Sequence, residues 1–370
     1  LLELVVKMFD RSRFAGDLLI RRPQLLEEIT RDKSFNQPRS IAEHLARLET
    51  FGASAANLDP VRSYRQRQQL RIIMRDVLGV AEVSVIFEEL SDLAEACLVF
   101  ANSLLSGGEL TIVALGKFGG RELSYGADLD VVFVGDDTRA AQNLISAAAQ
   151  PTAEGLIATL DARLRPDGEK GPLVASLSAY ESYYRDRAQL WEIQALTRAR
   201  AISGPLGEGF IAIAQENWRR TGKAPNLFSK IDSMLERIKR ERGTGSHVLD
   251  FKTGEGGTIE AEFLIQALQM RAGIWEPHWE KALDALTKES VMSKQDSVGA
   301  VRSYGLLRRT ETALRRFENK NVSSIPSAPE EQHKLAVRLG YKDFQAFAED
   351  YERARQKIRS LYQNYIKSKL

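Results

Sequence analysis

Apolar residues recur at helical spacing from the start of the chain to about Phe100, as in Leu4, Val5, Met8 and Phe9 and again in Leu18, Leu19, Leu25, Leu26 and Ile29. The pattern predicts several short helices. Breaks are expected where turn formers gather, at Asn36-Gln37-Pro38 and at Asn57-Leu58-Asp59-Pro60. The periodicity changes at Leu110: Thr111 to Leu115 reads as a short buried strand that stops at Gly116, and Leu129 to Val134 reads as a second strand closed by Gly135-Asp136-Asp137. A helix follows at Arg139 to Ala149, and Gly155 to Asp161 reads as a third strand that runs into a turn at Arg163 to Gly168. Ser178 and Glu181 have capping-box spacing and open a helix carrying Tyr180, Tyr183, Tyr184 and Trp191 on to about Arg200. Helical periodicity returns from Asn217, interrupted at Gly254 to Gly257 and at Val322 to Pro329. The expected fold class is α+β and mostly helical, with a small mixed sheet between helical bundles. The expected domains are 1–100, 101–215 and 216–370.

Composition narrows the choice of function. In 370 residues, 43% hydrophobic content suffices for sizeable cores, so a disordered chain is excluded. The least polar run, Ala140 to Ala153, already contains Gln142, Asn143 and Gln150, so no membrane span is expected, and no secretory signal is visible. A single cysteine, Cys97, fits a reducing cytoplasm. The net charge of +2 argues against nucleic acid as the main partner. His44, His247, His278 and His333 lack ligand spacing, so no zinc site is expected.

The chemistry concentrates between Ala114 and Phe133. Gly119-Gly120 at a strand end lets backbone N–H groups approach a polyphosphate, and a helix starting at Arg121 would add its positive end. Asp128 and Asp130, two apart on an extended strand, point to one face about 6.6 Å apart. Two carboxylates beside a phosphate loop suit Mg²⁺, and Asp161 supplies a third if its strand lies alongside. Three carboxylates can hold two metals, the clamp used in phosphoryl and nucleotidyl transfer. Arg163 and Arg165 alternate along the segment of Asp161 and are either phosphate-binding cations or salt-bridge partners; Lys117 is either functional or a solvated strand-end lysine. Arg198 and Arg200 are expected near a helix C-terminus, where the dipole favours positive charge.

This Gly-Gly and Asp-x-Asp arrangement resembles the DNA polymerase β-like nucleotidyltransferase superfamily. More specifically, it looks like the glutamine synthetase adenylyltransferase family, whose pattern is Gly-x-Gly-Lys-Leu-Gly-Gly-x-Glu-Leu followed by Ser/Ala-Asp-Leu/Ile-Asp-Leu. Here Ala114 stands at the first glycine, Phe118 at the leucine and Val131 at the last leucine. Asp161-Ala-Arg163-Leu-Arg165-Pro166, Trp191-Glu192-x-Gln194-Ala195-Leu196 and Asp250-Phe-Lys252 through Glu260-Ala-Glu262-Phe263 are similar to the family too, as is Tyr64 to Val80. Glu260 stands where the family usually has Asp.

The resemblance implies an enzyme that moves AMP from ATP to a tyrosine hydroxyl of glutamine synthetase, with Mg²⁺ or Mn²⁺ and release of pyrophosphate. Asp128, Asp130 and Asp161 would be metal ligands, and Asp161 also the general base. Gly119, Gly120, Lys117, Arg163 and Arg165 would hold phosphate, with Glu192, Arg200, Lys252, Glu260 and Glu262 in support. Such enzymes carry two related halves, and one Asp-x-Asp site implies one half, more similar to the adenylylating C-terminal one. The implied partners are glutamine synthetase and a PII-type nitrogen signal protein as regulator. Two alternatives stay open: phosphorolytic removal of AMP by the other half, and a catalytically silent nucleotide-binding module.

Overall fold

A computed structural model describes residues 2–242 and 249–370; His247 lies outside the described residues. The chain divides into two compact units. The first comprises the chain up to Ala188 with Arg198–Ala214 and Arg316–Asn319, and the second comprises Gln189–Thr197, Gln215–Arg315 and Lys320–Leu370. The expected boundary at 215/216 lies one residue from a unit edge. The boundary expected at 100/101 falls inside the helix Val83–Ser106 and within the first unit.

The first unit begins with helices Leu2–Arg11, Arg13–Arg21, Gln24–Thr30 and Ile41–Glu49. Ser12 caps the second by accepting the Ala15 N–H, and Ser40 with Glu43 forms a full capping box on the fourth. Two longer helices follow, Asp59–Leu78 and Val83–Ser106. Pro60 fits the first turn of one, whose missing N–H would be unpaired anyway. The expected break at 36–38 falls between helices, and the one at 57–60 spans the start of Asp59–Leu78.

The helix Asp59–Leu78 is buried on nearly all sides although it is rich in Arg and Gln. Burial of those charges demands partners. Glu89 takes both Arg71, at 2.8 Å, and Arg75, while Asp76 accepts the Tyr125 hydroxyl at 3.0 Å and pairs with Arg316 at 2.7 Å.

The sheet has five strands: β1 (Thr111–Ala114), β2 (Leu129–Val134), β3 (Leu160–Asp161), β4 (Val174–Ala175) and β5 (Arg200–Ser203). Its order is β3-β2-β1-β5, with β4 also on β2. β1 runs antiparallel to both β2 and β5. β3 and β4 share one edge of β2 end to end, both parallel to it. Leu129, Val131 and Phe133 join the core with Ile112 and Ala114, whereas Asp130 stays half-buried. The helix Thr138–Ala149 packs on Val83–Ser106 and on β3. Among the described residues no helix is long and apolar enough to cross a membrane.

Three elements differ from the sequence expectation. The strand expected over 155–161 shrinks to Leu160–Asp161, because Gly155 closes a tight turn with Thr152 and the Ile157 and Ala158 N–H groups both donate to Ala148 O at the end of the preceding helix. The helix expected from Ser178 to Arg200 is capped by Ser176 instead and ends at Asp186; a Gln189–Glu192 capping box then starts a separate helix, Leu190–Ala195. Arg200 therefore opens β5 rather than closing a helix, and Arg198 ends a short 3₁₀ turn.

The second unit is helical, built on Leu227–Arg242, Thr258–Ala272, Trp279–Lys288, Pro329–Arg338, Phe344–Tyr365 and most of Lys294–Glu318. His278 caps the helix that starts at Trp279, and Trp279 stacks on Tyr304 with ring centroids 4.2 Å apart. Loop 254–257 is packed so closely that a Cβ at Gly256, whose φ is +68°, would stand 2.1 Å from Arg355 O.

Candidate active site

The site is built where β1 and β3 flank the start of β2. In the parallel β2–β3 pair, Asp130 is the register partner of Asp161, and Leu129 that of Leu160. Side chains alternate along a strand, so the leucine pair enters the core while the aspartate pair faces the other way. Asp128 precedes β2 by one residue and is exposed. The carboxylates expected together are thus brought to one corner of the sheet.

β1 hands the chain to a one-turn helix, Gly116–Gly119. Leu115 donates its N–H to Asp130 O at 2.8 Å, which brings the turn onto β2. Gly116 has φ +53°, and a Cβ there would lie 2.1 Å from the Asp130 Oδ2 atom. Glycine at 116 therefore leaves room for that carboxylate. Along the chain Gly116 reads as a strand stop and as the second glycine of the family pattern, neither of which gives this reason for it.

Gly119 and Gly120 serve differently from expectation. Their N–H groups are committed to Leu115 O and Gly116 O, at 2.7 and 3.2 Å, so they end a helical turn instead of cradling phosphate. A Cβ at Gly119 would stand 1.9 Å from Arg198 O, so close packing requires the glycine. No helix starts at Arg121, which has φ +58°. Its guanidinium reaches buried Asp92 at 2.6 Å, and burial lifts the Asp92 carboxyl to about 6 against the pull of Arg121. Lys117 lies half-buried in the one-turn helix.

Arg200 holds the turn from β5. Its Nε donates to Gly119 O at 3.1 Å and another nitrogen to Phe118 O at 3.3 Å, while Nη1 pairs with buried Glu95 at 2.6 Å. Arg198 pairs with buried Glu122 at 3.0 Å. Both are structural ties around the turn; Arg198 closes the 3₁₀ turn Leu196–Arg198, near the helix end expected for it, whereas Arg200 lies on β5.

Arg163 grips Asp161: its Nε lies 2.9 and 3.0 Å from the two carboxylate oxygens, and its backbone N–H adds a bond of 3.0 Å. These hydrogen bonds hold the Asp161 carboxyl below the usual aspartate range and raise the pKa of Arg163. Arg165 is not aligned beside them on a strand, since β3 ends at Asp161. It donates instead to Ala162 O, Gly171 O and Glu169 O of the following turn.

Among the described residues no group of three His, Cys, Asp or Glu stands in metal-holding geometry. Of the three carboxylates expected to form a clamp, the strand register pairs two, Asp130 and Asp161, with Asp161 closed on Arg163, while Asp128 stands exposed just ahead of β2. Hard carboxylate oxygens on one face still fit a magnesium-type ion as a donor set.

The supporting residues expected elsewhere belong to the second unit. Glu192 completes the Gln189 capping box. Glu260 accepts the Gly256 N–H at 3.0 Å and pairs with Lys239 at 2.8 Å, and Glu262 accepts the Tyr304 hydroxyl at 2.9 Å. Lys252 lies in the loop before Thr258 and takes the Ile259 N–H on its carbonyl.

Comparison with known proteins agrees with the motifs. A family model described as glutamate-ammonia ligase adenylyltransferase matches residues 2–209, and one described as GlnD PII-uridylyltransferase matches 226–366. A bifunctional glutamine synthetase adenylyltransferase/adenylyl-removing enzyme from Thioalkalivibrio sulfidiphilus is 30% identical over 98% of this chain and 42% of its own length. Its counterpart in Nitrosococcus oceani is 29% identical with the same coverage, and that of Streptomyces avermitilis is 29% identical over 83% of the chain and 33% of its own length. The chain thus spans less than half the length of these relatives. The match over residues 2–209, which hold the Asp130–Asp161 register and the Gly116 turn, shows that the chain belongs to the glutamate-ammonia ligase adenylyltransferase family.

Proposed function

We propose that the chain transfers AMP from ATP to a tyrosine hydroxyl of glutamine synthetase, in the cytoplasm and under control of a PII-type signal protein. The observation that carries this reading is the Asp130–Asp161 register, with Asp128 two residues ahead and the Gly116–Lys117 turn beside it. The first unit would be the catalytic part, and most of 216–370, apart from Arg316–Asn319, would belong to the helical second unit.

Asp128 and Asp130 would hold Mg²⁺ or Mn²⁺, joined by Asp161, and the ion would offset negative charge on the α-phosphate and the pyrophosphate. The tyrosine oxygen attacks the α-phosphorus, the bond to the β,γ-phosphates breaks, and the hydroxyl proton passes to Asp161. A tyrosine pKa near 10 makes that base useful at neutral pH. In the Arg163 pair Asp161 is a poor base, since the guanidinium favours its charged form. Movement of Arg163 onto a phosphate oxygen would release Asp161 and raise its proton affinity as substrate arrives. Lys117 and Arg165 would add positive charge toward the phosphates, and Arg200 holds the turn.

The test is label transfer from α-labelled ATP to glutamine synthetase by a chain carrying Asp128→Asn with Asp130→Asn. Transfer is expected to vanish while circular dichroism stays unchanged; unchanged transfer refutes the assignment. Supplying adenylylated glutamine synthetase and phosphate, and finding ADP in place of forward transfer, would identify the removing half.

A further inference from the structure

Beside Asp128 the first unit contains a cavity of about 280 Å³ whose wall includes Arg65, Gln66, Phe14, Leu156 and Thr159. Arg65 and Gln66 are consecutive on the helix Asp59–Leu78, and no step described above uses them. Arg65 has no carboxylate partner among the described residues; its one acceptor is Leu156 O, at 3.4 Å. Elsewhere on this helix, Arg62, Arg67, Arg71 and Arg75 each pair with a carboxylate. Gln66 is buried, yet among the described residues its amide makes no hydrogen bond. A Cβ at Gly155 would stand 2.4 Å from the Gln66 Nε2 atom, so the glycine leaves the amide its place.

We propose that this cavity seats the purine base of the nucleoside triphosphate, with Arg65 and Gln66 reading its edge. The inference rests on the adenylyl-transfer reading and deepens it. A guanidinium only donates hydrogen bonds, so it calls for acceptors such as purine ring nitrogens. A carboxamide both donates and accepts, which matches the adjacent N6 amine and N7 acceptor of adenine. Phe14 and Leu156 offer apolar surface to the ring faces, which a site for phosphate alone would not need. The volume is near the lower end for small-molecule sites, suited to a nucleoside. Asp128 on the wall sets this base beside the carboxylates that would face the α-phosphate.

The test uses the full chain and isothermal titration calorimetry with two probes in the presence of Mg²⁺: α,β-methylene ATP and inorganic tripolyphosphate. Arg65→Ala and Gln66→Ala are each expected to weaken the ATP analogue by about tenfold or more while tripolyphosphate affinity stays within about twofold. Arg65→Lys and Gln66→Asn, with melting midpoints measured alongside, give the same comparison should an alanine variant misfold. Equal losses for both probes would make Arg65 a phosphate ligand and overturn the proposal, as would unchanged affinity for both, the result expected of a pocket for the acceptor protein. A wild-type chain that binds neither probe would overturn the adenylyl-transfer reading itself.

Discussion

Asp130 and Asp161 sit directly opposite one another on two parallel strands, although a loop, a helix and a tight turn separate them in the chain. Register places them side by side, and the two-residue length of β3 leaves little slack. A slip of one residue would turn one carboxylate into the core.

Asp161→Asn keeps the strand pairing and removes the base. Turnover in adenylyl transfer is expected to fall by about 10²–10⁴-fold, with the KM for ATP nearly unchanged. A steady-state series in ATP checks this; a pure KM effect would count against Asp161 as base.

Removing Arg163 tests the grip on Asp161. In Arg163→Ala the Asp161 carboxyl is expected to titrate at higher pH than in the parent, because its strongest hydrogen-bond donor is gone. NMR titration of the labelled carboxyl carbon reads this directly. Exposure of Arg163 limits the stability cost to about 1 kcal/mol or less.

Gly116→Ala places a methyl group against Asp130 and strains a left-handed residue. The strain costs about 1–2 kcal/mol, whereas displacement of the carboxylate is expected to cost about a hundredfold in kcat. Thermal melts beside kinetics separate the two; full activity in a folded variant would remove Gly116 from the site.

His44 should make the first unit acid-sensitive. It is fully buried, its Nδ1 lies 2.7 Å from the Tyr64 hydroxyl, and burial, reinforced by Arg39 and Arg71, lowers its pKa to about 3. The unfolded chain takes up the proton near pH 6.5. Stability is therefore complete above that value and declines as pH falls toward 3, by at most about 1.4 kcal/mol per pH unit. Denaturant titrations at several pH values should show a shallower decline in His44→Gln; an identical slope would place the sensitivity elsewhere.

Much of the candidate site could be read from the chain itself. β2 begins and ends where the apolar run predicted, because a buried strand bounded by Asp128 and Gly135 leaves few other choices. The partners of that strand were harder to see. β4 and β5 are too short or too polar to announce themselves, and Arg200 reads as a helix end until its pairing with β1 is known. The Gly-Gly pair was legible as a place needing glycine but not for its reason, since Arg198 O and Ala114 O reach Gly119 from distant or folded-back chain. The reason for the glycine at 116 was hidden for the same cause: its constraint is a carboxylate fourteen residues later. Arg65 resembles its paired neighbours on the helix, and only the three-dimensional arrangement shows it without an acid among the described residues.

The tie between Asp76, Tyr125 and Arg316 bears on how this polypeptide can be divided. A gene cut after residue 215 would still encode every strand and all three aspartates, yet it would omit Arg316. Asp76 would then meet Tyr125 as an uncompensated charge beneath the loop leading to Asp128. The shortest uninterrupted reading frame containing the whole first unit runs to Asn319, so a fragment that keeps that unit intact has to include most of the helical segment that follows the sheet.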